Sequence, residues 1–186
     1  MAAAIEISPQ RKSAVTFAVM LAAIMQMLDT TIANVALPHM QGSLSATQDQ
    51  LSWVLTSYIV AAAIMTLPVG WLSGRYGRKN VFVISVAGFT VASVLCGVAS
   101  SLNEMVLFRV LQGFFGAALV PLSQATLLDI NRKEDHGKAM SLWAVSVMIG
   151  PILGPTLGGF LTEYYSWRWV FYINLPLGIL AFFIMY

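Results

Sequence analysis

A carboxylate lies inside a long apolar segment near the amino terminus. That segment ends with LDTTIANVALP (28–38) and contains Asp29, whose charge would cost roughly a few kcal/mol or more in hydrocarbon. Gln26 precedes Asp29 by three residues, and Thr30 and Asn34 follow Gln26 in steps of four, which places all four on one helical face. Such a face must contact protein or water rather than lipid. This favours a functional carboxylate over a packing contact that an amide would make equally well.

A second charge lies in the apolar segment FRVLQGFFGA (108–117). Arg109, Gln112, Gly113 and Gly116 are spaced so that they share one helical face. An arginine near a helix end also snorkels to the membrane surface, so an interface anchor is the alternative interpretation. The glutamine one turn after Arg109 favours a polar interior face instead.

Asp29 and Arg109 are predicted to lie at similar depths. From the helical rise, Asp29 is roughly 12 Å from the outer end of its helix and Arg109 roughly 6–8 Å below the outer surface. A long arginine side chain bridges this difference. A nearby guanidinium favours the ionised carboxylate, and separating the two in a desolvated site favours the protonated form. The hypothesis is that Asp29 loads and releases a proton as its contact with Arg109 changes.

The composition indicates that the elements carrying these residues span a membrane. Of 186 residues, 58% are hydrophobic and 10% are charged, whereas soluble domains carry about 25% charged residues. About 20 helical residues cross the hydrocarbon core. The first apolar segment is too long for a signal peptide and is followed by others. An all-α integral membrane protein with six transmembrane helices is therefore predicted, at about 14–37, 50–72, 80–100, 104–127, 139–162 and 168–186.

Basic residues predict the orientation of these helices. Eight of the ten Lys and Arg residues fall on one side of the six predicted spans. The positive-inside rule therefore places the amino terminus, with its segment 1–13, in the cytoplasm. The net charge of +2 is too small to indicate a nucleic-acid partner.

The remaining chain, 14–186, is predicted to form one bundle of two repeats. GWLSGRYGRKNVFVI (70–84) aligns with GFLTEYYSWRWVFYI (159–173), with identical Gly, Tyr and apolar positions. Each unit, about 14–100 and 104–186, contains three helices, so the second must insert upside down relative to the first. No Lys or Arg follows the last helix to mark a cytoplasmic boundary. We therefore expect the chain to be the front part of a longer membrane protein, lacking a carboxy-terminal helical bundle.

Two glycine-containing motifs punctuate the helices. GWLSGRYGRKN (70–80) joins the second and third spans with three cations and with glycines that permit sharp backbone turns. The positive-inside rule alone also accounts for its charge. In the fifth span, MIGPILGPTLGG (148–159) repeats glycine every fourth residue, which permits close approach of a neighbouring helix. Its two prolines bend a helix. Pure packing accounts for part of this pattern, and a close-packed, bent contact is also what a rocking helix bundle would use as a seal.

No motif of an enzyme is found. The sequence contains no HExxH, GxSxG, P-loop or strand-linked GxGxxG, and its single cysteine, Cys96, provides neither a disulfide nor a metal cluster. Trp53 and Tyr58, with Phe114, Phe115 and ten methionines, are candidates for an apolar cavity. They are equally typical of an ordinary membrane-protein core.

These motifs together resemble the major facilitator superfamily, and within it the fourteen-helix drug:proton antiporter branch. LDTTIANVALP resembles the first-helix motif of that branch, and GWLSGRYGRK resembles the superfamily signature between helices 2 and 3. FRVLQGFFGA is similar to the helix 4 arginine motif, GPILGPTLGG to the helix 5 antiporter motif, and WRWVFYINLPLG (167–178) to a helix 6 signature. The resemblance covers nearly all of residues 20–180.

The resemblance implies roles for individual residues. Asp29 and Arg109 would lie in the central cavity and couple transport to protons. An antiport-linked bend would comprise Gly150, Pro151, Gly154, Pro155, Gly158 and Gly159. A cytoplasmic gate would comprise Gly70, Arg75, Gly77, Arg78 and Lys79. Gly74 replaces the acid that is usual in this signature, which leaves a charge relay through that acid without its central group.

The sequence therefore predicts the amino-terminal bundle of a proton-coupled multidrug efflux antiporter that works by alternating access in the bacterial cytoplasmic membrane. It needs no cofactor beyond the proton gradient. Expected partners are protons, the lipid bilayer, lipophilic small molecules with cations among them, the carboxy-terminal bundle and a periplasmic adaptor. Alternatives are a facilitator of sugars or organic ions and a non-transporting membrane interaction module. The predicted substrate cavity comprises Gln26, Thr30, Asn34, Gln112, Trp53 and Tyr58.

Overall fold

A computed structural model describes residues 8–186, and all regular secondary structure in that range is helical. The helices are α1 (Pro9–Met40), α2 (Gln48–Tyr76), α3 (Arg78–Val98), α4 (Leu102–Gly116), α5 (Leu119–Ile130), α6 (His136–Tyr164), α7 (Trp169–Tyr172) and α8 (Asn174–Met185). A short 3-10 turn, Lys133–Asp135, precedes α6. The prediction of an all-α fold is confirmed.

Side-chain capping defines where α2 and α4 begin. At the start of α2, Thr47 Oγ1 accepts a hydrogen bond from the Gln50 backbone N–H, and Gln50 Oε1 accepts one from the Thr47 N–H. This reciprocal capping box satisfies backbone donors that a helix start leaves free. At the start of α4, the Ser101 hydroxyl accepts from the Glu104 N–H. Both helices therefore begin within two residues of the predicted spans.

Within residues 8–186, five helical segments are long and apolar enough to cross a membrane. They are Pro9–Met40, Gln48–Tyr76, Arg78–Val98, Leu102–Ile130 and Lys133–Tyr164, and a sixth apolar segment, Trp169–Met185, is shorter. These segments make the chain a multi-pass membrane protein. The fourth and sixth segments are each interrupted, whereas the sequence predicts one continuous helix for each of them.

Proline explains both interruptions. Pro121 has no N–H to donate to the carbonyl of Ala117, and α4 ends at Gly116 just before that residue. Pro176 likewise provides no donor for the carbonyl of Tyr172, the last residue of α7. The residues at the two breaks, Ala117, Ala118 and Ile173, keep right-handed helical backbone angles.

The first helix lies at the centre of the bundle. It packs most extensively on α6, and also contacts α2, α5, α7 and α8, while α4 packs against α2 and α3. Two apolar cores lie along it, one around Val19, Met25 and Phe89 and one around Ile32 and Phe171. Gln26 and Asp29 lie where these two cores meet along α1.

Two helices bury much less surface than the others. In the most apolar window of α2 and of the span containing α6, 22% of residues are buried, against 50% in the other three spans. Large apolar side chains are exposed on both helices: Trp53, Ile59, Val60, Ile64, Leu67 and Trp71 on α2, and Leu142, Val145, Met148, Ile152, Leu153 and Phe160 on α6.

Candidate functional site

A buried ion pair joins α1 to α4. Arg109 Nη1 donates to Asp29 Oδ2 at 2.7 Å, and the two residues are 0% and 1% exposed. The structure thus brings together the two charges that depth and spacing singled out. A buried pair persists only if hydrogen bonds also satisfy its remaining polar atoms, so its other partners decide how it behaves.

The second carboxylate oxygen receives two amide donors. Gln112 Nε2 donates to Asp29 Oδ1 at 2.7 Å, and Asn174 Nδ2 from α8 donates to the same oxygen at 2.8 Å. Gln112 Oε1 in turn accepts from Arg109 Nη1 at 2.7 Å. The ionised carboxylate therefore accepts three hydrogen bonds, which compensates for its removal from water.

The guanidinium also fixes α2 to this site. Arg109 Nε donates to the backbone carbonyl of Val54 at 3.0 Å. The guanidinium carbon lies 4.3 Å from the centre of the Tyr58 ring and 5.8 Å from that of Phe171, within the range of cation–π attraction. Arg109 is thus an interior residue, and the alternative of a snorkelling surface anchor is excluded.

Asn174 and Ser93 belong to the same network, and sequence reasoning missed both. Asn174 Nδ2 donates to Ser93 Oγ at 2.8 Å, and Ser93 Oγ donates to the carbonyl of Phe171 at 2.9 Å. Both side chains are fully buried. A polar amide in the apolar run INLPLG (173–178) is the same kind of signal that identified Asp29, and it could have found Asn174.

The predicted cavity residues divide into two groups. Gln26 and Tyr58 are buried near the ion pair, where Gln26 Oε1 and the Tyr58 hydroxyl have no hydrogen-bond partner. Thr30 is half-buried and donates to its own helix at Met27 O, and the exposed Asn34 donates to Thr30 O.

Of the other two predicted cavity residues, Gln112 is in the network and Trp53 is 58% exposed. The polar stripe therefore turns from the bundle interior toward its outer surface along α1. A role for these residues in binding substrate stays a prediction.

The α2–α3 connection is a single residue. Gly77 has φ +84°, a backbone conformation that glycine adopts without strain. Gly70 and Gly74 lie inside α2, so the expectation that they form turns is wrong. They sit in a regular helix because the chain reverses entirely at Gly77.

Cations of the predicted gate make specific contacts beside this turn. Arg78 forms an ion pair with Asp129 at the end of α5, and Lys79 Nζ donates to the carbonyl of Tyr186 at 2.9 Å. The Arg75 guanidinium lies within 6 Å of two ring centres on its own helix, at 5.7 Å from Trp71 and 5.8 Å from Tyr76. An acidic side chain does pair with this α2–α3 motif, but it is Asp129 of α5 and not a residue at position 74.

The glycine row of α6 lies directly against α1. A Cβ at Gly150 would be 2.5 Å from Met27 Cβ, one at Gly154 2.1 Å from Thr31 Oγ1, and one at Gly158 3.2 Å from Val35 Cβ. The close helix approach expected from this spacing is therefore present.

The other half of that motif faces outward. Pro151 and Pro155 are exposed, and a Cβ at Gly159 would meet nothing within 4 Å. Thr31 Oγ1 also lies 3.2 Å from the carbonyl of Gly150, as a donor across the interface. The role of the six residues as a moving bend stays a prediction.

In the described part of the chain, no cluster of three His, Cys, Asp or Glu side chains is placed to hold a metal ion. Cys96 is buried and free, with its Sγ 3.5 Å from Gln112 Oε1. The chemistry available at the centre of the bundle is therefore that of one carboxylate, its arginine and the surrounding amides.

Comparison with known proteins gives consistent matches. The family model of the Major Facilitator Superfamily matches residues 19–186. The chain is 44% identical over 167 residues to the fatty acid resistance protein FarB of Neisseria gonorrhoeae, covering 90% of this chain and 33% of FarB. It is 45% identical over 164 residues to the multidrug export protein EmrB of Escherichia coli strain K12, covering 88% of this chain and 32% of EmrB. The chain thus spans about a third of the length of these relatives.

Solved structures share the fold at low sequence identity. The proton:xylose symporter XylE, bound to 6-bromo-6-deoxy-D-glucose, superposes with a TM-score of 0.85 at 15% identity, over 97% of this chain and 45% of XylE. A bacterial homolog of the human lysosomal transporter Spinster gives a TM-score of 0.81 at 23% identity, over 96% of this chain and 44% of its own. These likenesses concern the fold alone.

Proposed function

The chain belongs to the major facilitator superfamily, and we propose that it is the amino-terminal six-helix bundle of a proton-coupled multidrug efflux antiporter that works by alternating access. The observation that carries this proposal is the buried Asp29–Arg109 pair. Relatives named for multidrug export support the class of transport. The proton gradient is the energy source, and no cofactor takes part.

The geometry gives proton uptake a mechanical consequence. In the ionised state, Asp29 is held by Arg109, Gln112 and Asn174. A proton on Asp29 removes the charge that attracts the guanidinium and leaves Arg109 as an uncompensated buried cation, which is strongly unfavourable. Protonation therefore favours a state in which Arg109 finds another partner or reaches water. Because Arg109 also binds the Val54 carbonyl, this change acts on α2 as well as α1 and α4.

The packing of the helices supports two inverted repeats within residues 14–186, about 14–100 and 104–186. The first span packs on α6 and the fourth packs on α2, while α3 packs on α4 and α8 packs on α1. Exchanging the two repeats turns the first of these contacts into the second and the third into the fourth, as a twofold relation between three-helix units requires. In this arrangement segment 1–13 and the amino terminus are cytoplasmic.

The poorly buried faces of α2 and α6 are where a second bundle would pack. Both helices leave more of their residues exposed than the other three spans do, and the relatives are about three times as long as this chain, so that they have further residues to cover these faces. Substrates would lie between the two bundles, beside Gln26, Thr30, Asn34, Gln112, Trp53 and Tyr58. Lipophilic small molecules, cations among them, suit such an apolar cavity, and a periplasmic adaptor would carry them onward.

The predicted gate and the glycine row of α6 would then have different roles in the same movement of the bundles. Rocking of the bundles in the membrane would move the α2–α3 turn, which the Arg78–Asp129 ion pair holds to α5, toward and away from the second bundle on the cytoplasmic side. The contact between α1 and the glycine row of α6 would stay closed and prevent proton leakage through the bundle. Gly70, Arg75, Gly77 and Lys79 complete the proposed gate.

The test uses the complete gene product in liposomes that contain a pH-sensitive dye. We expect substrate addition to drive proton movement with the wild-type protein and with the control Asp49→Asn, whose side chain is exposed at the start of α2. With Asp29→Asn we expect none. Proton-coupled transport by Asp29→Asn would overturn the proposal. Substrate flux without proton movement would favour a facilitator, and absence of flux together with a co-purified membrane chain would favour an interaction module.

A further inference from the structure

We propose that Asn174, supported by Ser93, is the positioning residue that holds Asp29 in both of its protonation states by turning its side-chain amide over. This inference rests on the proposed proton coupling at Asp29. It assigns a function to α8 and α3, which neither carry a charge in the network nor contribute to the predicted substrate cavity.

The amide is held between two acceptors. Asn174 Nδ2 lies 2.8 Å from Asp29 Oδ1 and 2.8 Å from Ser93 Oγ, so that each of its two hydrogens has a partner. Ser93 uses its own hydrogen on the carbonyl of Phe171 at 2.9 Å. All these side chains are 0–1% exposed, so water does not replace a bond that is lost.

The ionised carboxylate determines which way the amide points. Asn174 Oδ1 is buried with no hydrogen-bond partner among residues 8–186, which is unfavourable for a carbonyl oxygen. Turning the amide over would place this oxygen against the Asp29 carboxylate, where two acceptors repel each other. With Asp29 ionised, the observed orientation is therefore the better of the two.

A proton on Asp29 reverses that preference. The carboxyl then has an O–H to donate, and an Asn174 oxygen at the present position of Nδ2 would accept it. The Ser93 hydroxyl, rotated away from Phe171, would donate to the same oxygen, since a hydroxyl rotates to suit its partner. Asn174 thus makes two hydrogen bonds in each state and leaves one polar atom unpartnered in each. Asparagine is suited to this because both ends of its amide have the same shape.

Docking of α8 does not itself require these bonds. One turn farther along, a Cβ at Gly178 would lie 1.8 Å from Thr90 Oγ1, so α3 and α8 are already in close contact there. Ala181 and Phe171 are fully buried on either side. The hydrogen bonds of Asn174 therefore act on the position of Asp29 more than on the seating of the helix.

The test compares variants of the complete gene product for substrate-driven proton release as a function of pH. Ser93→Ala has a matched control in Ser85→Ala, which removes a buried hydroxyl from the same helix without a bond to the network. Asn174→Leu removes both hydrogen bonds. We expect coupled transport to fall by about tenfold or more with Asn174→Leu and several-fold with Ser93→Ala, and to be unchanged with Ser85→Ala.

Asn174→Asp gives a readout that a purely structural role would not move. An aspartic acid has nearly the shape of the amide, but it donates a hydrogen bond to Asp29 only while it holds a proton. Two adjacent carboxyls repel when both ionise, so transport by this variant should be retained at acid pH and lost, reversibly, as the pH rises. The other titratable groups around the site, Arg109 of α4, Tyr58 of α2 and Cys96 of α3, are the same in all variants.

The outcomes separate this inference from the function on which it rests. A wild-type protein that shows no proton coupling, or an Asp29→Asn variant that does, contradicts the proposed function. If those two behave as expected while Asn174→Asp follows the wild-type pH profile, or Ser93→Ala equals Ser85→Ala, the positioning role is wrong. Reversal of the Asn174→Asp effect within one preparation excludes misfolding as its cause, even if Asn174→Leu does not fold.

Discussion

Replacing Gly150 by alanine should force α1 and α6 apart. The new Cβ would lie 2.5 Å from Met27 Cβ, 2.8 Å from the Met27 carbonyl carbon and 2.9 Å from the Leu28 nitrogen. Carbon atoms in contact lie about 3.5–4.0 Å apart, so relief takes a shift of roughly 1 Å. Two of the three obstructing atoms belong to the backbone of α1, and no side-chain rotation moves them. The 3.2 Å contact from Thr31 Oγ1 to the Gly150 carbonyl would be stretched by the same shift.

Overpacking of this kind costs about 1–3 kcal/mol, which corresponds to a fall of about 2–12 °C in the unfolding midpoint of a 186-residue chain and to a smaller fall in the longer complete gene product. The assay is the thermal midpoint of the detergent-solubilised complete gene product, followed by size-exclusion chromatography after heating. Gly159→Ala is the control, since its Cβ would meet nothing within 4 Å. Equal midpoints for the two variants would refute the assignment of α1–α6 contact to this glycine row.

Three further substitutions or reactions follow from single contacts. Gly77→Ala should lower the thermal midpoint through about 1–3 kcal/mol of backbone strain, because φ is +84° there. The control Gly74→Ala lies inside a helix with open space beside it, so it should be neutral or stabilising. Equal losses of thermal midpoint in the two variants would contradict this. Arg109→Lys should reduce proton-coupled transport about tenfold or more, because one ammonium does not reach both the Asp29 carboxylate and the Val54 carbonyl. Near wild-type transport rates in this variant would argue against a role for these two contacts. A maleimide should label Cys96 at least about tenfold more slowly in native membranes than after unfolding in detergent, since the thiol is buried, and rapid native labelling would show an open path to it.

The central ion pair was predictable because helical spacing and depth are properties of the sequence. Asp29 and Arg109 are exceptional by residue type, and counting residues from each helix end gives their heights. Gln112 follows Arg109 by three residues on a continuous helix, so its direction follows too. For these residues the local period alone determines which face they share.

Asn174 and Ser93 were missed for different physical reasons. A break in the helix falls at Ile173, directly before Asn174, because Pro176 provides no donor for the Tyr172 carbonyl, so the periodicity of the preceding segment does not say where Asn174 points. Serines are common in apolar helices, where their hydroxyls bond to their own backbone, and nothing in the sequence around Ser93 distinguishes it from such a residue. The glycines at 70 and 74 were misread for another reason, because one glycine with positive φ, Gly77, is sufficient for the whole reversal of the chain.

Hydropathy also does not say what covers an apolar face. Trp53 is 58% exposed on α2, yet its type is equally typical of a core, a lipid-facing surface or an interface with a second bundle. Only packing of the other helices shows which side of α2 is left open.

The separation of Asp29 and Arg109 along the chain has a consequence for biosynthesis. The two residues are 80 positions apart, so the first helix enters the membrane well before its arginine has been made. At about 5–20 residues per second, Asp29 waits roughly 4–16 s for that partner. A lone carboxyl in hydrocarbon is cheapest in its neutral form. Insertion of the first helix is therefore easiest with a neutral carboxyl, and the ion pair that compensates Asp29 in the folded bundle forms only when α4 arrives.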